Sequence, residues 1–296
     1  MLYVSLRERL IKAALTERKT MMPGQQEKAL KLQELHRSGI FVIPNPWDIG
    51  SARLLAMAGF QALASTSAGY AFSRGVPDNA IGREQMMLHL RELAAATDLP
   101  VSADLENGFG DAPEFAARTI ELAAKAGVVG GSLEDATNRP DDPLYSLEFA
   151  AERVRAAAEA KAGLPFPFTL TARAENYLNG KPDIKDTIRR LQAYQEAGAD
   201  VLFAPGISHR KDIAAVVSSV DRPVNVVMGL LDCELTLEEL AGLGVARVSV
   251  GGSLARAALG AFLRAAREMR EKGSFGYANE AVSGQEINAM LGSWLK

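Results

Sequence analysis

Apolar residues return along this chain in two rhythms. Short runs of small and β-branched residues alternate with longer stretches whose apolar positions recur at helical spacing, and this alternation predicts parallel strands joined by crossover helices. The strand runs are Ile40–Pro44, Ala62–Thr66, Pro100–Asp104, Gly130–Glu134, Phe168–Ala172, Asp200–Ala204, Pro223–Val227 and Ala246–Val250. Helical spacing covers residues 49–58, 83–96, 113–126, 147–161, 184–197, 208–218, 236–242 and 253–271. Glycine stands near four expected helix ends, at Ala58-Gly59, Ala126-Gly127, Ala197-Gly198 and Leu243-Gly244, where a left-handed residue commonly closes a helix.

Eight such units account for residues 40–271. An open doubly wound sheet usually carries a glycine-rich phosphate turn after its first strand, whereas the turn here reads Asn45-Pro46-Trp47-Asp48. The expected fold is α/β: one (β/α)₈ TIM-type barrel over residues 23–271, with an N-terminal extension at 1–22 and a C-terminal helical or irregular extension at 272–296. Gly251-Gly252-Ser253, after the last strand, has the form of a backbone anion site, although close helix packing accounts for it equally well.

A length of 296 residues suits a single barrel, and 48% apolar with 23% charged residues suits a globular protein with a large core. The net charge of −3 comes without a basic run, which argues against nucleic acid as a partner. Cys233 is the single cysteine, so no disulfide forms within the chain. No apolar run has membrane-spanning length, and the expected location is cytoplasmic.

In a barrel of this type the C-terminal strand ends converge on one mouth, so the residues they carry are the candidate chemistry. The first strand ends in Asn45, Trp47 and Asp48, the second in Ser65 to Gly69, the third in Asp104, Glu106 and Asn107, the fourth in Glu134 and Asp135, and the fifth in Arg173 and Glu175. Asp104 and Glu106 are two apart and share a face if the strand persists; with Glu134 they form an oxygen-only cluster suited to Mg²⁺ or Mn²⁺. Arg173 is placed to bind a carboxylate bidentately, or to pair with Glu175 or Glu134. The Thr66-Ser67-Ala68-Gly69 turn is a candidate oxyanion hole. His36 and His89 fall in helical stretches as packing or surface residues, His209 lies nearer the mouth, and Cys233 between Asp232 and Glu234 is poorly placed for a nucleophile.

These residues lie in motifs that resemble the isocitrate lyase/phosphoenolpyruvate mutase superfamily from about Phe41 to about Arg270. NPWDIGSARLLAMAGFQALASTSAG, GVPD at 75–78, ADLENGFG, SLED, ARAEN and QAYQEAGAD are similar to its motifs, in order. The resemblance implies Asp104 as direct Mg²⁺ ligand, with Asp78, Glu106 and Glu134 acting mostly through metal-bound water. It also implies that Arg173 holds the substrate carboxylate, that Thr66, Ser67 and Ala68 bind the 2-oxo acid and its enolate oxygen, and that Asn225 contacts substrate; Trp47 joins them as a candidate at the first strand end. The resemblance implies catalytic roles for Arg173, Thr66, Ser67 and Glu134 and a homotetramer. The loop after the fourth strand, Ala136 to Pro143, departs from the lyase KKCGH-type loop by lacking its cysteine and lysine, Glu106 stands for a family aspartate, and Ser132 stands for a histidine of some lyases. The implied activity is a Mg²⁺-dependent C–C lyase or hydrolase, other than isocitrate lyase proper, that works on a small 2-oxo or 2-hydroxy carboxylate through an enolate. A phosphonomutase-like P–C enzyme and a non-catalytic binder of 2-oxo acids are the alternatives.

Overall fold

A computed structural model describes residues 24–230 and 233–295; the expected extension at 1–22 lies outside them. Eight parallel strands run in the order β1-β8-β7-β6-β5-β4-β3-β2, a TIM-type barrel. They are β1 (Phe41–Ile43), β2 (Leu63–Ala64), β3 (Val101–Asp104), β4 (Gly130–Glu134), β5 (Thr169–Arg173), β6 (Val201–Phe203), β7 (Val224–Val227) and β8 (Arg247–Ser249). Each lies inside or within a residue of its predicted run.

The described helices are α1 (Gln25–Leu35), α2 (Ile49–Met57), α3 (Ser67–Ser73), α4 (Arg83–Ala96), α5 (Pro113–Ala126), α6 (Leu147–Ala162), α7 (Ile184–Glu196), α8 (Arg210–Ser218), α9 (Leu237–Gly242), α10 (Ser253–Lys272) and α11 (Gly284–Gly292). Local chemistry sets their starts: Asp48 accepts from the Ser51 N–H at 2.7 Å, Asp183 from Lys185 and Asp186, and Thr236 with Glu239 forms a capping box on α9. Gly59, Gly127, Gly198 and Gly244 all take positive φ, as the helix-end reading requires. Residues 67–73 differ from the expected turn: Thr66 accepts the Gly69 N–H at 3.2 Å and caps the short helix α3. The C-terminal extension contains α11 as expected, packed near α2. No helix among the described residues is long and apolar enough to cross a membrane.

The barrel closes unevenly. β1 and β2 form no ladder among the described residues; the Ala64 N–H donates to the Pro44 carbonyl at 3.0 Å, and Asn45 bridges the rest of the seam. Its amide nitrogen donates to the Ser65 carbonyl at 2.7 Å, while its oxygen accepts the Val250 and Gly251 N–H groups, both at 2.9 Å. One buried side chain thus joins the ends of β1, β2 and β8 immediately before α3. Asn45→Ala leaves a buried carbonyl and two backbone N–H groups without these partners, and we expect a loss of about 2–4 kcal/mol in urea denaturation, from roughly 1–3 kcal/mol per orphaned group partly relieved by water; a change below about 0.5 kcal/mol would remove Asn45 as the clamp.

Candidate active site

At the C-terminal mouth β5 ends in Arg173, whose position beside the ends of β3 and β4 follows from the ladder: Arg173 pairs in register with Glu134, and Ser132 with Asp104. The guanidinium consequently meets three carboxylates. Nη1 lies 3.0 Å from Asp104 Oδ1, and Nη2 lies 3.0 Å from Glu134 Oε2 and 2.7 Å from Glu175 Oε1; Nε also donates to Glu175 at 2.8 Å. Both readings of Arg173 therefore remain physically connected: it is paired with acids in this state, and it stands beside the cavity where a carboxylate would compete for it.

Glu175, which the sequence offered only as an ion-pair partner for Arg173, takes that place here. Asp135 fixes it from behind, accepting the Glu175 N–H at 2.8 Å, Arg190 Nη1 at 2.9 Å and the Tyr194 hydroxyl at 2.5 Å. Asp135 itself is buried, so these donors satisfy an otherwise costly charge.

Asp104 and Glu106 come together by a different route from the expected one. β3 ends at Asp104, and Glu106 takes φ +50°, so the pair is joined by a left-handed turn rather than by one strand face. Phe109 repeats the left-handed conformation at φ +60°, and Arg153 holds this loop through the carbonyls of Asn107, Gly110 and Asp111. The Asp104 carboxylate receives the Ser67 N–H at 3.1 Å. That N–H is thus already engaged in the expected oxyanion turn. Asp78 faces the same cavity as Ser67 and Asp104.

The electrostatics of this group are unbalanced. Asp78, Asp104, Glu106, Glu134 and Glu175 gather around Arg173, while Arg256 lines the same cavity. Burial, then Asp104 and Asp78, push Glu106 up to about 8. Burial raises Glu134 and Glu175 as well, opposed by Arg173, and burial followed by the nearby Asp104 charge raises Asp78. Although burial disfavours its charge, Glu134, Glu175 and Asp104 hold Arg173 protonated well above the ordinary range.

Glu106 Oε1 is buried with no hydrogen-bond partner. An orphaned carboxylate oxygen, surplus negative charge and an all-oxygen donor set fit a hard divalent cation. Among the described residues no group of three or more acidic, His or Cys side chains stands together so as to hold a metal ion by protein atoms alone, so an ion here would keep waters in its shell.

A cavity of about 290 Å³ opens at this mouth, at the small end of ligand pockets. Thr66, Ser67, Ala68, Asp78, Asp104, Arg173 and Asn225 all line it, whereas Glu106 and Glu134 are buried beside it. Trp47 does not reach it. With Gly69, Phe72 and α10 it lines an adjoining apolar pocket, because α2 starts directly after it and turns the chain outward. Asn225 accepts from Arg247 Nε at 2.7 Å and donates to Ser249 at 2.9 Å. Arg256 is a further cavity residue that its position on a helical stretch concealed. Gly251 takes φ +50° and lines the cavity with Gly252, where an added Cβ would make only ordinary contact with Ala68 and Thr66. His89 is buried and stacks on Tyr70, with ring centroids 3.7 Å apart; His209 precedes α8; and Cys233 faces the Ser208 carbonyl at 3.3 Å.

The phosphoenolpyruvate phosphomutase family model matches residues 32–270. An uncharacterized protein of Mycobacterium tuberculosis (strain ATCC 25618 / H37Rv) is 32% identical over 246 residues, 82% of this chain and 90% of that protein. The 2-methylisocitrate lyase of Escherichia coli (strain K12) is 31% identical over 181 residues, 58% of this chain and 60% of the lyase. Among solved structures, a Burkholderia cenocepacia J2315 protein assigned as a lyase/mutase shares 63% identity at a TM-score of 0.89, covering 90% of this chain and 97% of its own. A phosphonopyruvate hydrolase complex with oxalate and Mg²⁺ shares 26% identity at a TM-score of 0.79, covering 90% and 95%. The barrel, its acid-ringed mouth and the family match over most of the chain lead to one conclusion: this chain belongs to the phosphoenolpyruvate phosphomutase family of the isocitrate lyase/phosphoenolpyruvate mutase superfamily.

Proposed function

We propose that this chain is a Mg²⁺-dependent lyase or hydrolase that breaks a C–C bond in a small 2-oxo or 2-hydroxy carboxylate through an enolate. The observation that carries this reading is the surplus of buried carboxylates, with an orphaned Glu106 oxygen, beside a small cavity that also presents Arg173 and the Thr66–Ala68 turn. Asp104 would hold the ion directly, and Asp78, Glu106 and Glu134 through water; when bound, the ion supplies Lewis-acid stabilisation of negative charge developing on the substrate oxygen. Arg173 exchanges one of its carboxylate partners for the substrate carboxylate and so fixes the orientation of the 2-oxo end. The Thr66 and Ser67 hydroxyls and the Ala68 backbone border the position of the enolate oxygen.

The lyase relative supports C–C chemistry, and the oxalate-and-Mg²⁺ complex of the phosphonopyruvate hydrolase supports the ion and a 2-oxo acid ligand. Exposed Leu259, Phe262 and Leu263 on α10 support a homo-oligomer, with a tetramer as the expected state in light scattering; a monomer would remove that part of the proposal.

Purified protein incubated with oxaloacetate, 2-methylisocitrate, 2,3-dimethylmalate and phosphonopyruvate, with Mg²⁺ or with EDTA, is followed by NMR. We expect metal-dependent loss of one C–C substrate; consumption of phosphonopyruvate alone transfers the assignment to a P–C enzyme, and no turnover with tight oxalate binding makes the chain a binder. Asp104→Ala is expected to weaken Mg²⁺ binding at least about tenfold in calorimetry, since it removes the direct ligand. Equal affinity would overturn the metal assignment. Arg173→Lys is expected to weaken oxalate by at least ~1 kcal/mol, the scale of a lost charge-assisted bond, and unchanged affinity would leave Arg173 a purely structural ion-pair residue.

A further inference from the structure

TIM-barrel interiors are ordinarily filled by layers of bulky branched side chains. Below the acid-ringed mouth this barrel instead carries Ser102, Ser132, Asn225 and Ser249, and the cavity continues past them to Arg247 at the start of β8. Arg247 is only 4% exposed. Its Nε donates to Asn225, its Nη2 donates to Thr171 Oγ1 at 3.0 Å, and its Nη1 lies 3.3 Å from His36 Nε2. The other nitrogen of His36 faces the Leu32 carbonyl at 2.8 Å and must donate to it, which leaves Nε2 as a neutral acceptor.

Among the described residues all three partners of Arg247 are therefore uncharged. The contrast within the same molecule is sharp: Arg173 has three carboxylates, and Arg190 has Asp135 and Asp186. Burial alone pushes Arg247 down to about 9, with no carboxylate opposing it, so it remains charged at neutral pH. Its three contacts use three of the five N–H groups a guanidinium offers. A buried charge without a counter-charge is costly. Because this one borders a cavity, the missing anion has a route to it.

We propose that Arg247 is a floor subsite for the distal carboxylate of a diacid whose 2-oxo end occupies the Thr66–Ala68 and Asp104 mouth, which makes the substrate a 2-oxo or 2-hydroxy diacid rather than a monoacid. The inference rests on the function proposed above for the mouth. The spacing agrees with it: Thr171, which holds Arg247, and Arg173 lie two residues apart on the same side of β5, a separation of roughly 7 Å. A short carbon chain bridges that gap, and the serines along the shaft are too small to block it.

The test measures affinity calorimetrically in Mg²⁺ for pairs of equal chain length that differ in the distal carboxylate: oxaloacetate against 2-oxobutyrate, and 2-oxoglutarate against 2-oxopentanoate. Oxalate, too short to reach the floor, reports on the mouth. We expect at least one diacid to bind tenfold or more tightly than its monoacid, and Arg247→Met to reduce that ratio to twofold or less. No preference in the native chain, or an equal preference in Arg247→Met, overturns the subsite while oxalate binding still upholds the mouth. Failure of oxalate to bind the native chain overturns the mouth reading and this inference with it. If Arg247→Met loses cooperative unfolding, Ser132→Leu decides the matter by narrowing the shaft without changing charge: it must weaken the preferred diacid at least fivefold more than oxalate, and an equal effect on both overturns the proposal.

Discussion

The mouth of this barrel is organised by the need to neutralise charges that the fold has taken out of water. Arg173 joins the ends of β3, β4 and β5 by meeting Asp104 and Glu134 from neighbouring strands and Glu175 from its own. The pairing is incomplete, since the Arg173 guanidinium alone cannot balance five acids. Low dielectric makes the remainder expensive, and the same shortfall that weakens the ligand-free mouth is what attracts a divalent ion to it. Stability and function oppose each other here by a mechanism visible in the contacts themselves.

Arg173 and Arg247 divide this problem between them. At the mouth, negative charge exceeds positive; at the floor, Arg247 is positive among neutral groups. The cavity runs from one imbalance to the other, which gives the interior an electrical polarity that apolar packing would not provide.

The strand and helix periods were legible because burial imposes them directly on the chain: parallel strands covered by helices are read as short apolar runs, and the four glycines marked real left-handed helix ends. The mouth was legible for a related reason, since chain direction alone delivers the strand ends to one place. Other features depend on three-dimensional neighbours. Trp47 follows a strand as Asp104 does, yet the immediate start of α2 turns it away from the cavity. The expected shared strand face of Asp104 and Glu106 gave way to a left-handed turn, which the residue types do not announce because such a conformation at glutamate is imposed by the surrounding loop. Arg247 sat within a predicted strand, but its lack of a counter-charge became visible only when Thr171, Asn225 and His36 were brought around it.

The seam between β1 and β2 has a dynamic consequence. Most of the barrel is laced by continuous ladders, whereas here a short β2 is joined to β1 by the Ala64–Pro44 bond and the Asn45 amide. The Thr66–Ala68 turn grows from that same strand, so the part of the mouth assigned to the oxo group belongs to the least cross-linked stave of the barrel. Such a stave opens at lower free energy than its neighbours, and its amides exchange with solvent through local rather than global unfolding. A ligand held between this turn and Arg173 would splice the weak stave to a strong one, so that occupancy would be felt as slower amide exchange along β2 and α3 as well as at the atoms touched.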